Sequence, residues 1–282
     1  MFNKHPKGLI AAALANLGER FGFYTMMAIL VLFLQAKFGM NGKEAGFIYS
    51  TFYFSIYILA LVGGIIADKT RNYKGTIFTG IVLMAVGYLL LAIPSKTPVD
   101  NKMLYLVITC ASLFVIAFGN GLFKGNLQAL VGQMYDNPQY ANMRDSGFSL
   151  FYMFINIGAI FAPFAAVGVR NWWLSTFGYN YDADLPALCH GQLAGTLSPE
   201  ATETYHTLVT KASTAPVQDY TAFASDYLNV FTTGFHYAFG VAIIAMAISL
   251  TIYWLNKKNF PDPSKKTVAS SASSTVVEMS AQ

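Results

Sequence analysis

Apolar residues in this chain fall in long blocks separated by short polar or charged segments. A run of about 20 apolar residues crosses a bilayer as a helix. Six such runs are present, at about 9–35, 46–67, 75–93, 103–134, 147–169 and 234–255. The pattern predicts an all-α membrane protein with six transmembrane helices. The fourth run is longer than a span needs and is interrupted by Gly119, Gly121 and Gly125. Glycines there predict a bend or a close backbone approach. The segment between the fifth and sixth runs, 170–233, is too long for a plain connection. It opens on Trp172-Trp173, a pair suited to the membrane interface. Ser198-Pro199-Glu200 reads as a helix start, and Pro216 separates a second candidate helix ending near Phe231. A small helical cap outside the membrane is expected, structural or a variable decoration. His190 and His206 lie in it with no catalytic pattern around them. Residues 1–256 therefore form one transmembrane unit with this external loop inside it. The Ser-, Pro- and Lys-containing segment 257–282 reads as a cytoplasmic linker or disordered tail.

Composition agrees. The chain is 55% hydrophobic and only 11% charged, which excludes an ordinary soluble domain. Its net charge of +4 reflects basic residues beside helix ends more than any affinity for nucleic acid. The segments before the first span, between the second and third, between the fourth and fifth, and after the sixth hold Lys4, Lys7, Lys69, Arg71, Lys74, Arg144, Lys257, Lys258, Lys265 and Lys266. The opposite side holds Lys37, Lys43, Lys96, Lys102, Arg170 and Lys211. By the positive-inside rule both termini are cytoplasmic. Cys110 falls in an apolar run and Cys189 in the long loop, so no disulfide is expected, and no Cys/His metal spacing occurs. Lys4 and Lys7 lead straight into a full-length span, with no signal-cleavage pattern. No nucleophile–base pair is visible, and an enzyme is not expected.

Against this background the first span is anomalous, because it carries Glu19 and Arg20. Each charge costs about 2.5–3.5 kcal/mol at a membrane helix centre on insertion scales. Asn16, Glu19, Arg20 and Phe23 share a helix face that should point into protein or water. Counting about 1.5 Å per residue from the cytoplasmic ends puts Glu19, Lys124, Asn156 and Tyr57 all roughly 15–16 Å deep. That is close to the midplane of a core about 30 Å thick, where secondary transporters build their sites. Glu19, Arg20 and Lys124 sum to one surplus positive charge, which suits an anion, and a guanidinium suits a carboxylate. Adjacent Glu19 and Arg20 point about 100° apart on a helix, so Lys124 is the expected partner of Glu19. A structural ion-pair network between the first and fourth spans is the competing reading.

A second constellation, Gly64-Ile65-Ile66-Ala67-Asp68-Lys69-Thr70-Arg71-Asn72-Tyr73-Lys74, joins the second and third spans. It resembles the loop signature of major facilitator transporters. Glu19-Arg20-Phe21 with Tyr24 resembles the first-helix ExxER-F motif of the proton-dependent oligopeptide transporters. Gly121-Leu122-Phe123-Lys124-Gly125-Asn126 resembles that family's fourth-helix segment, and Phe148 to Ala159 its fifth-helix signature. Four motifs stand in the right order on the right helices.

The resemblance implies one half of a major facilitator fold, with two inverted three-helix repeats and a C-terminal six-helix half missing from this chain. It implies proton-coupled uptake of di- and tripeptides across the plasma (inner) membrane, with protons as coupling ion and no cofactor or metal. Glu19 and Arg20 match positions for proton coupling. Arg20, Tyr24, Tyr57, Lys124 and Asn156 match positions for substrate, and Gly64, Asp68 and Arg71 match the gating loop. The chain departs from the motif at Asn16, where the family has a first glutamate, at Gly125, where proline is usual, and at Phe23, where tyrosine is common. Transport of another small anion, or a non-transporting truncated scaffold, are the alternatives.

Overall fold

Eight α-helices order the residues that the computed structural model describes, 4–261. They are α1 (Lys7–Phe38), α2 (Gly42–Thr70), α3 (Tyr73–Ala92), α4 (Lys102–Met134), α5 (Arg144–Thr176), α6 (Leu185–Ala194), α7 (Pro199–Ala212) and α8 (Tyr220–Leu255). Six of them, α1 to α5 and α8, are long and apolar enough to cross a membrane. They are the six spans expected from the sequence. Local signals set their ends. Gly39 closes α1 at φ 60°, and the His190 ring would sit 3.2 Å from a Cβ there, so both conformation and space demand glycine. Asn41 and Glu44 make a reciprocal capping box at α2, and the Asn72 side chain caps α3.

α1 is the innermost helix, and none of the strongly exposed large apolar side chains belongs to it. It packs on α8 at Gly18 and Gly22, against Ala245, Ser249, Ala242 and Met246, and on α5 at Gly158. α4 lies between α2 and α3. Gly119 and Gly121 give close packing and not a break, since α4 is continuous, whereas a Cβ on Gly125 would meet open space. A Cβ on Gly119 or on Gly80 would come 2.7 Å from the other's carbonyl oxygen. Small residues allow such approach where lipid tails offer no hydrophobic drive between helices. Polar side chains reinforce it: Ser249 Oγ donates to the Ala15 carbonyl at 2.6 Å, and Asn126 Nδ2 to that of Gly63 at 3.0 Å.

The external segment differs from expectation in three ways. The helices reach further into the loop predicted at 170–233, leaving 177–219 between α5 and α8. The second candidate helix, thought to end near Phe231, is the first part of α8, because Thr232 returns its hydroxyl to Leu228 and no breaker interrupts the run. α6 was not anticipated. Arg170, counted as an outer loop charge, is only 3% exposed, with its guanidinium 3.6 Å over the Tyr181 ring. Lys37 is likewise buried and donates to the carbonyls of Ser95 (2.5 Å) and Lys96 (3.1 Å). The expected start of α7 holds, with the Ser198 hydroxyl accepting from Ala201 N. Burial holds the His190 imidazole below its ordinary range, and its Nε2 meets the Ala36 carbonyl at 2.8 Å. Burial also pushes the Cys189 thiol up to about 12. Both cysteines are free. Past α8 the chain makes one 3-10 turn, Lys257–Asn259, and Phe260 is buried against Tyr253. The rest of the expected tail, with Lys265 and Lys266, lies outside the described residues.

Candidate functional site

Two polar centres stand in the middle of the bundle. The first lies behind α1. Glu19 is fully buried and Arg20 is 5% exposed. The guanidinium turns back onto its sequence neighbour: Arg20 Nε donates to Glu19 Oε2 at 2.5 Å and Nη2 to Oε1 at 2.6 Å. This forked, charge-assisted geometry is the strongest that arginine and carboxylate form. Asn120 Nδ2 of α4 donates a third bond to Glu19 Oε1 at 2.7 Å. The Arg20 guanidinium also lies 4.8 Å from the Phe23 ring and 6.0 Å from the Tyr24 ring. The expected pairing of Glu19 with Lys124 is therefore replaced. The Cα–Cβ vectors of Glu19 and Arg20 do diverge, but the long arginine stem bends through that angle. The α4 residue that meets Glu19 is Asn120, one turn before Lys124.

The second centre is on the open side. Lys124 is half-buried, and its ammonium sits 5.8 Å from the Tyr57 ring of α2. No carboxylate pairs with it among the described residues. Tyr57 is 53% exposed, on the uncovered face of α2. Its hydroxyl donates to that of Tyr53 at 3.1 Å. Asn156 is exposed on α5 and makes no hydrogen bond to either centre among the described residues. It stands two residues before Gly158, which touches the α1 backbone at Leu17 and Phe21. The sequence-predicted residues thus separate into Glu19, Arg20 and Tyr24 on one hand and Lys124 with Tyr57 on the other. Gly64, Asp68 and Arg71 lie apart at the α2–α3 turn. Gly63 rather than Gly64 meets α4 there, and a Cβ on Gly64 would meet open space. Asp68 accepts a hydrogen bond from the Tyr73 hydroxyl, and Arg71 ends α2 at φ 50°.

Sequence reasoning missed Asn120 and Tyr88. Tyr88 of α3 is fully buried, its hydroxyl has no partner among the described residues, and it feels the charges of both Glu19 and Arg20. The available signal was spacing, since Asn120 precedes Lys124 by one helical turn. Cavities elsewhere among the described residues enclose none of these groups, and two of them are bounded by the long helices. One, of about 300 Å³, is apolar and lined by Phe47, Phe52, Cys110 and Phe114. The other, of about 260 Å³, is lined by Lys37, Tyr105 and His236. The Lys124 centre is a wall without an opposite face.

Six membrane-length helices folded around a buried ion pair, with one polar wall left open, define the class: a helical membrane bundle similar in fold to major facilitator-type transporters. A family profile described as PTR2, POT family, matches residues 74–281. The chain belongs to the POT family and is an integral membrane protein. The matched region contains Lys124 and Asn156, while Glu19, Arg20, Tyr24 and Tyr57 precede it. The chain is 34% identical over 185 residues to the peptide transporter YePEPT of Yersinia enterocolitica, covering 64% of this chain and 34% of that protein. It is 34% identical over 179 residues to dipeptide and tripeptide permease A of Enterobacter sp. strain 638, covering 63% and 32%. A crystal structure of peptide transporter POT in complex with alafosfalin superposes with a TM-score of 0.59 at 25% identity, over 98% of this chain and 46% of that one. The chain spans about a third of the length of the curated relatives it matches.

Proposed function

We propose that this chain is the N-terminal half of a proton-coupled di- or tripeptide uptake transporter. A C-terminal six-helix half would cover the open wall and complete the site. Arg20 and Lys124 would hold the peptide carboxylate near the bilayer midplane, with Tyr24, Tyr57 and Asn156 along the peptide. Glu19 would carry the coupling proton. Gly64, Asp68 and Arg71 would belong to a cytoplasmic gating turn, with both termini on that side. Rocking of one half against the other would alternate access.

The observation that carries this reading is Lys124. It is a half-buried cation with no carboxylate partner among the described residues, facing an aromatic side chain on the open wall. Glu19 and Arg20 neutralise each other, so the surplus positive charge of the three residues resides on Lys124. A desolvated, uncompensated ammonium favours an anion. The similarity to proteins named as peptide transporters supports a peptide carboxylate as that anion.

The test is dipeptide binding by the protein purified from its own membranes. Lys124→Ala is expected to weaken binding at least tenfold, and unchanged affinity overturns the carboxylate-anchor role. Competition by nitrate or a small organic acid as strong as that by a dipeptide would favour an anion transporter. The absence of any ligand-dependent thermal shift would favour a non-transporting scaffold. The intact mass of the native product tests the two-half arrangement. A mass well above 30.8 kDa supports it, whereas a mass near 30.8 kDa requires the wall to be covered by another chain or a second copy.

A further inference from the structure

Around Glu19 the hydrogen bonds are complete for a charged carboxylate and incomplete for everything else. Glu19 Oε1 accepts from Arg20 and from Asn120, and Oε2 accepts from Arg20. Two neighbouring buried atoms are left over. Among the described residues Asn120 Oδ1 is an acceptor with no donor, and the Tyr88 hydroxyl has no partner of either kind. Both residues are fully buried, and Asn120 otherwise reaches only the Met84 sulfur at 3.9 Å. Buried polar groups in native proteins are nearly always paired, so each exception asks for an explanation.

A neutral carboxyl supplies what both atoms lack. It carries one O–H donor and one carbonyl acceptor. We propose that Asn120 and Tyr88 are positioning residues that receive Glu19 in its protonated form. The inference rests on the reading that Glu19 carries the coupling proton. In the step, a proton arriving through water bonds to Glu19 Oε1, and the Asn120 amide turns over. The new O–H then donates to Asn120 Oδ1, and the Tyr88 hydroxyl donates to Glu19 Oε2. Arg20 keeps its own proton and loses its counter-charge, so the pair passes from neutral to one positive charge. A substrate carboxylate restores neutrality. Proton and carboxylate are thereby tied to one another through Arg20, and Asn120 offers Glu19 a hydrogen-bond donor at one end of the change and an acceptor at the other.

The surroundings add few other titratable groups. α1 itself contributes Arg20 and Tyr24, and α3 contributes Tyr88. α4 contributes Lys124, one turn beyond Asn120 and turned toward Tyr57 of α2. Where α8 and α5 touch α1 at Gly18, Gly22 and Gly158, the contacts are Ala242, Ala245, Met246, Ser249 and backbone.

The experiment is infrared difference spectroscopy of the full chain in lipid bilayers as pH is lowered, with Glu19→Gln to assign the signal. The wild type is expected to give a Glu19-dependent protonated-carboxyl band at a hydrogen-bonded frequency, with a matching change in an asparagine amide band. Asn120→Leu is expected to abolish that amide change and to shift the carboxyl band to higher frequency. Tyr88→Phe, which removes only an unpartnered oxygen, is expected to shift the carboxyl band as well, and it keeps the test available should Asn120→Leu fail to fold. A band that stays in place in the folded variants overturns the inference. So does the lack of any Glu19-dependent band at every pH at which the helices remain intact. The readout does not depend on transport. Expected shifts without peptide uptake would remove the transport reading alone, and intact uptake with an unmoved band would remove this inference alone.

Discussion

Asn120 and Lys124 stand one turn apart on α4 and face two different kinds of polar region. At Asn120 the environment is closed: a carboxylate accepts from a guanidinium and an amide with almost no solvent contact. At Lys124 the environment is open: a cation meets an aromatic ring and no carboxylate. The closed centre is built for internal balance, and its groups are held by the fold. The open centre is unbalanced, and its balance must come from outside the described helices. A shared depth in the bilayer therefore does not mean a shared role. Disturbing the closed centre should act on stability first, and disturbing the open one on binding first.

The largest expected effect is at the closed centre. Glu19→Ala leaves Arg20 buried without a counter-charge, and breaking such a pair typically costs about 3–5 kcal/mol. The thermal unfolding temperature in detergent should fall steeply, whereas Lys124→Ala should change stability by no more than about 0.5 kcal/mol. Equal losses in the two variants would erase the distinction. Next comes peptide affinity, where Lys124→Ala removes a charge-assisted contact of about 1.5–3 kcal/mol. Isothermal titration should register this as at least a tenfold weakening. A smaller effect is expected at Asn126, whose amide joins α4 to the Gly63 carbonyl of α2. Interhelical hydrogen bonds in membranes average about 0.6 kcal/mol. Asn126→Ala should lower the unfolding temperature slightly and leave peptide affinity unchanged.

The smallest effect separates pH dependence at the cap from pH dependence at Glu19. The folded state holds the His190 imidazole below its ordinary range, because burial disfavours the charged ring. The unfolded chain then binds more protons than the folded one as pH falls through about 6.5. The stability that neutral His190 contributes is complete above that pH and is lost progressively below it. Protection from hydrogen exchange at the α6–α1 contact, corrected for the intrinsic exchange rate at each pH, should fall as the pH drops from 7 to 5.5, and His190→Gln should flatten that slope. A slope unchanged in this variant would assign the pH response to another group.

Much of this was legible in the sequence. The six spans follow from hydropathy alone, and Ser198-Pro199-Glu200 announces α7 correctly. The start of α8 was read too late because Thr232, Thr233 and Gly234 look like a polar break, while inside a helix threonine hydroxyls bond to the preceding turn. α6 carried weak signals, a proline in its first turn and Gly195 after its end, and its ten residues are too few for a periodic pattern. At the site, charge type and depth picked out Glu19, Arg20 and Lys124. Their pairing was not legible, because it depends on how an arginine stem bends. Asn120 and Tyr88 were not legible either, since a single amide or phenol in an apolar run reads as packing until its neighbours are known.

The central claim is that Lys124, the uncompensated cation of the open wall, anchors the peptide carboxylate, with Arg20 joining it once Glu19 is protonated. It is tested most directly by the affinity of one dipeptide and of its C-terminal amide, each measured on the wild type and on Lys124→Ala. The account predicts that amidation weakens binding to the wild type at least tenfold and that the variant distinguishes the two ligands far less. A variant that discriminates against the amide as strongly as the wild type would place the carboxylate elsewhere and contradict the account.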